Sequence, residues 1–232
     1  REVTCRRWRA TFLVLASLAS LTWAFAGVLN PAMSQLHAFV SEYSARDQPW
    51  RYLFQTTDVI MGTLLCLAGL ATLVWARHRP LGRQGWSGVG FVAGGFFSVL
   101  DALVTMDCSP TRSQACMAAE EAGHVSVNHV VHVGTSTIVV VGFALPILLL
   151  NSTMTRFRGF GLVVTWAWVV FTLLNGIGAV GWFVGTPMDY TGIWQRFSLG
   201  LGTLWWLILA ADDIVTARVQ DRALLLSSLT RS

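Results

Sequence analysis

The stretch Tyr52–Ala76, YLFQTTDVIMGTLLCLAGLATLVWA, decides the fold. It carries one charged residue, Asp58, in an otherwise apolar run. About 20 consecutive apolar residues span a bilayer as a helix, and a run of this length is too long for a strand. A charge inside a bilayer costs roughly 2.5–3.5 kcal/mol on insertion scales, so Asp58 is a functional or structural signal.

Five further segments have the same character. With the first they run over about 10–29, 52–76, 85–105, 125–150, 160–184 and 193–214. Of the 232 residues, 54% are hydrophobic and 12% charged, against about 25% charged in ordinary soluble domains. The expected fold is all-α, a polytopic membrane protein whose six helices form one transmembrane domain over 1–232. Arg6, Arg7 and Arg9 precede an apolar core ending in Ala24-Phe25-Ala26, which has the form of a signal-peptide cleavage site. That core exceeds the usual signal length, so a retained helix is expected.

All sixteen basic residues are Arg, a usage that suggests a GC-rich bacterial source. Twelve flank one side: Arg1, Arg6, Arg7, Arg9, Arg77, Arg79, Arg83, Arg156, Arg158, Arg218, Arg222 and Arg231. Arg46, Arg51, Arg112 and Arg196 lie on the other. The excess puts both termini in the cytoplasm of a bacterial plasma membrane. Because Arg clusters in short loops between apolar runs, the formal charge of +4 reads as topology and not as a nucleic-acid surface. The partners expected are membrane lipids, with a membrane protein as a further candidate.

Titratable groups recur at one depth from the outer face. At about 1.5 Å per residue, Asp58, Asp101 and the pair His129/His132 lie roughly 9–14 Å in. Gln55, Ser98 and Asn128 could join them, and His124, Asn128 and His132 form one stripe at i, i+4, i+8. Three readings stay open: a polar network fastening helices, a ligand or proton pathway, and a catalytic zinc site. For the last, His129, His132 and Asp101 would be the ligands and Asp58 a further catalytic carboxylate, since imidazole and carboxylate are the usual ligands of catalytic zinc. Such a metal would polarise a lipid ester or amide. No H-E-x-x-H pattern accompanies them, and a cofactor beyond that zinc is not implied.

In the outward loop Asn30–Arg51, Ser41 and Glu42 are candidate ligand-binding residues on a segment that is either a solvated loop or a lid. Arg196 can snorkel to lipid phosphates or pair with Asp189 or a buried Asp. Asp212 and Asp213 are expected to pair with Arg218 and Arg222. Cys108 and Cys116 bracket DCSPTRSQAC on the oxidising side, and a short-loop disulfide is expected. Gly90/Gly94 and Gly181/Gly185 have GxxxG spacing, read as close packing within the chain or as a dimer contact.

From Leu29-Asn30-Pro31 to Met61-Gly62 the chain carries a first helix, a loop with Ser41-Glu42-Tyr43-Ser44-Ala45, and a second helix opening with polar residues; an Asp-Cys-Ser-Pro loop later leads into a His-bearing helix. This pattern resembles the bacterial and archaeal membrane proteins of domain of unknown function 998, over about 10–215. The resemblance implies six membrane helices and no assigned activity. Membrane hydrolases of the alkaline ceramidase and adiponectin-receptor type are remotely similar, and their three His, Asp and Ser around a zinc would correspond in part to Asp101 and His129/His132. The chain departs from them in having six helices and no paired-His motif on the last. Function is therefore expected as binding of a lipid headgroup, small ligand or partner in an outward pocket, with a metal-dependent lipid hydrolase and a proton-coupled transporter as alternatives. Against the transporter, the inner halves of the helices offer little beyond Asn175.

Overall fold

A computed structural model describes residues 2–77, 82–183 and 190–229, without the side chains of 182 and 183. Arg1, Arg79, Arg231, Gly185 of the second GxxxG spacing, and Asp189 as a partner for Arg196 lie outside the described residues.

The elements are α1 (Glu2–Ser20), prolonged by a 3-10 turn at Leu21–Phe25 and by α2 (Ala26–Leu29), then α3 (Arg51–Ala76), α4 (Arg83–Leu103), the short α5 (Gln114–Glu121), α6 (Val127–Leu150), α7 (Arg158–Phe183) and α8 (Thr191–Leu229). Six of these units are long and apolar enough to cross a membrane. The described residues contain no strand. The six expected segments are all found, but α1 starts earlier and α8 continues well past 214.

Packing is sequential around the bundle. α3 packs on α4, α4 on α6, α1 on both α3 and α8, and α7 on α8. Among the described residues, α6 and α7 share no extended face. Small residues set the closest approaches. A Cβ on Gly62 would lie 2.6 Å from the carbonyl of Gly95, so α3 and α4 meet backbone to backbone. A Cβ on Gly90 would lie 2.7 Å from the carbonyl of Gly142, whose usual helical donor is missing because residue 146 is proline. The Gly90/Gly94 spacing therefore serves packing within the chain.

Each end is closed differently. At the end carrying Glu2 and Gln220, Asp213 on α8 is fully buried and accepts from Arg6 Nη1 at 2.9 Å and from Arg9 Nε and Nη2 at 2.7 Å each. The Arg6 and Arg9 guanidiniums stand 4.4 and 5.2 Å from the Trp75 ring centre on α3. Asp212 accepts the backbone N–H groups of Thr155, Arg156 and Phe157 between α6 and α7. The expected pairing of these two aspartates with Arg218 and Arg222 is corrected: both carboxylates point into the bundle, toward α1 and the 155–157 loop. Asn151, part of a glycosylation-type triplet, is also buried; it donates to Thr165 and accepts from Trp205, tying α6, α7 and α8.

The opposite end is covered by a cap made from residues 30–50 and 104–126. Cys108 and Cys116 are disulfide-bonded, with Cα atoms 6.0 Å apart. Glu42 clasps the two halves of the cap. Its carboxylate accepts from Phe39 N–H at 2.9 Å, Thr111 N–H at 3.1 Å, the Thr111 hydroxyl and the Ser109 hydroxyl. Arg46 adds a backbone bond to Met106 at 3.0 Å and an ion pair to Asp107 at 3.3 Å.

Candidate functional site

Beneath the cap lies a cavity of about 440 Å³, within the range of small-molecule sites. Ser41, Glu42 and Thr111 roof it, Asp58, Asp101 and His132 stand on its polar wall, and apolar side chains reaching down to Ile147 and Trp168 line its depth. It also touches Val141 of α6 and Gly176 of α7, both of which face the outside of the bundle. The cavity therefore reaches the surface sideways, where α6 and α7 do not pack together.

The polar wall is built by three helices. Asp58 is in the third turn of α3, and Asp101 is near the end of α4. His132 of α6 is 2% exposed and points its Nδ1 at the Asp101 carbonyl (3.1 Å), the Val104 carbonyl (2.9 Å) and the Asp101 carboxylate (3.2 Å). All three neighbours are acceptors, so Nδ1 carries the hydrogen and satisfies the last carbonyls of α4. Its Nε2, a lone-pair acceptor in the neutral ring, has no partner. Asp101 further accepts from the Thr135 hydroxyl and from the Ser136 hydroxyl at 3.0 Å. Asp58 makes no hydrogen bond or ion pair with a described residue. The indole N–H groups of Trp23 and Trp206 and the side-chain oxygen of Asn175, all at the cavity, are likewise unpartnered.

His129 is turned elsewhere. Its Nδ1 accepts the Asp107 N–H at 3.3 Å, so its Nε2 carries the hydrogen and faces the Glu120 carboxylate at 3.7 Å. The expected zinc ligands His129, His132 and Asp101 are thus divided between two settings. Among the described residues, no group of three His, Cys, Asp or Glu could hold a metal ion. The reason is helix rotation: three residues apart, the two rings leave α6 about 60° apart.

The other expected site residues divide as well. The His124–Asn128–His132 stripe does not form, because α6 starts at Val127 and His124 precedes it. His124 and Asn128 are exposed, and only His132 faces inward. Ser41 lines the cavity, whereas Glu42 spends its carboxylate on the cap. Ser98 lines the cavity with its hydroxyl donated to Gly94, and Gln55 donates to the Ser44 carbonyl at 3.1 Å. Arg196 neither snorkels nor meets a carboxylate among the described residues. It is 7% exposed, donates to the Ala38 and Gly192 carbonyls at 2.9 and 3.0 Å, and lies over the Tyr43 ring. It fastens the cap to α8 through backbone oxygens.

Burial pushes the Glu42 carboxyl up, although the donors from Ser109, Thr111 and Phe39 pull the other way. Burial also pushes at Asp107, but the Ser126 N–H at 2.6 Å and hydroxyl at 2.8 Å, with Arg46 and His129, more than offset it and hold the carboxyl below its ordinary range. Asp107 in this way caps the start of α6 together with Ser126, whose hydroxyl accepts the His129 N–H at 3.3 Å.

Thr135, Ser136, Trp23 and Trp206 were not legible as site residues. Thr135 and Ser136 follow His132 by three and four positions, so the face carrying His132 already contained them.

The fold defines a helical membrane protein with an internal cavity beneath a cap. The family model described as "Protein of unknown function (DUF998)" matches residues 13–212, and the chain belongs to that family. No curated protein and no solved structure matches it.

Proposed function

We propose that this is a multi-pass protein of a bacterial plasma membrane, with both termini in the cytoplasm, whose cavity binds the polar end of a membrane amphiphile in the outer-leaflet half. The observation that carries this reading is the lining of the cavity, where Asp58, Asp101, His132 and Asn175 stand among apolar side chains and His132 Nε2, Asn175 Oδ1 and Trp206 Nε1 are buried without a partner. Buried polar atoms are normally satisfied, and their gathering among the residues that line one space supports a ligand with a polar head. The opening between α6 and α7 supports entry from the lipid phase, and the Glu42 clasp supports a cap that stays shut above. A lipid-hydrolase reading through zinc lacks support from the ligand set, since His129 stands apart from His132 and Asp101.

The test is lipid retention. Protein purified in mild detergent from its native membrane is extracted, and co-purifying lipids are identified by mass spectrometry, for the wild type and for Gly176→Trp. Gly176 lines the cavity and a Cβ there meets open space, so a bulky side chain can be placed at that position without striking backbone. One lipid class held at about one per chain and lost in Gly176→Trp supports the reading. Identical lipid content in both proteins would remove it.

A further inference from the structure

If the cavity binds an amphiphile as proposed, its own polar atoms select the head group. The geometry points to a cationic, hydrogen-bond-donating head, an alkylammonium, and against a phosphate. The cavity wall is rich in acceptors: the Asp58 and Asp101 carboxyls, Asn175 Oδ1 and the free Nε2 of His132, a side chain that is 2% exposed. Glu120 also lines the space.

No Arg is among the described lining residues, and the chain has no Lys. Of the buried Arg side chains, Arg6 and Arg9 are bound to Asp213 at the far end of the bundle, and Arg196 donates through Nη1 to the Ala38 and Gly192 carbonyls. Among the described lining residues, the buried donors without a partner are the Trp23 and Trp206 indoles, which are uncharged. A phosphate placed here would meet carboxylates in a low-dielectric space with no cation to pair it, which is costly. An ammonium brings three donors to these carboxyl, amide and imidazole acceptors. Below the polar wall, Val139, Phe143, Ile147 and Trp168 offer an apolar track for the chain of the amphiphile.

The probes are hexadecylamine, hexadecanol and hexadecyl phosphate, which share one chain length and differ only in the head. Each is titrated onto the purified full chain in detergent and retention is counted by native mass spectrometry. The expected result is that the amine binds at least tenfold more tightly than the phosphate and more tightly than the alcohol, and that Asp58→Asn reduces the amine to the level of the alcohol. Equal retention of amine and alcohol, or phosphate binding as tight as the amine, overturns the head-group assignment while leaving the cavity reading intact, provided Gly176→Trp still abolishes binding. Binding of all three that is unaffected by Gly176→Trp, or binding of none, overturns both.

Discussion

His132 gives its Nδ1 hydrogen to the end of α4, within 3.2 Å of the Asp101 carboxylate, and leaves its other nitrogen buried without a partner on a residue that lines the cavity. One ring therefore fastens α6 to α4 and keeps a lone pair unmatched. His132→Ala leaves the Asp101 and Val104 carbonyls without this donor. A buried group left unsatisfied costs about 1–3 kcal/mol, so thermal unfolding in detergent should move several degrees lower. Asp101→Asn should cost less, because an amide oxygen still accepts from Thr135 and Ser136. Equal losses in the two variants would show that the carboxylate, and not the carbonyl pair, is the fastening partner.

The Asp213 cluster should respond more strongly. Asp213→Ala leaves Arg6 and Arg9 buried without a carboxylate, and breaking a buried pair in this way costs about 3–5 kcal/mol. A triple change, Arg6→Met, Arg9→Met and Asp213→Leu, removes all the charges together and should recover much of that loss. The comparison of the two melting temperatures is the measurement. A triple variant as unstable as Asp213→Ala would mean that the ions supply packing that apolar side chains cannot.

The cap should show two opposed dependences on pH. Asp107 has a folded value below its unfolded one, so its contribution is present above the usual carboxylate range and is lost as pH falls through the folded value. Glu42 has a folded value above its unfolded one, so its contribution is full below the usual range and fades as pH rises through the raised value. Asp107→Asn should therefore flatten the acid limb of a stability–pH curve, and Glu42→Gln the limb toward neutrality. Melting temperatures from pH 3 to pH 8 in detergent separate them, and a Glu42→Gln curve parallel to wild type would contradict the second assignment.

Reduction of Cys108–Cys116 should loosen the 104–126 half of the cap. For a loop this short the chain-entropy estimate is about 2–3 kcal/mol. Cys108→Ser with Cys116→Ser should lower the melting temperature, and a reducing agent should lower that of the wild type alone. An unchanged wild type under reductant would mean that the Glu42 clasp is enough to hold the loop.

The six helices were readable because apolar length leaves few alternatives in a bilayer. Their rotations were not, and the site depended on them. Depth alone let Asp58, Asp101, His129 and His132 meet without deciding that they do; Asp58, Asp101 and His132 line one cavity, whereas His129, only three positions from His132, faces Asp107 and Glu120. His124 appeared to share a stripe with His132 only on the premise that the helix began before it; the Ser126 cap ends that premise. Arg6, Arg9 and Arg196 read as surface or interfacial groups from their charge. Each is buried because its partner, an aspartate some 200 residues away or a loop carbonyl, is invisible to any local pattern.

The bond between Arg9 and Asp213 spans 204 positions, and it also sets a schedule. Domains are made from the N-terminus at about 5–20 residues per second, so α1 is in place for many seconds before α8 exists. During that interval two guanidiniums at the base of α1 have no carboxylate from α8 to bind. The bundle can therefore be completed only after α8 has been made, and a truncation before Asp213 would leave the first helix as the least settled part of the bundle.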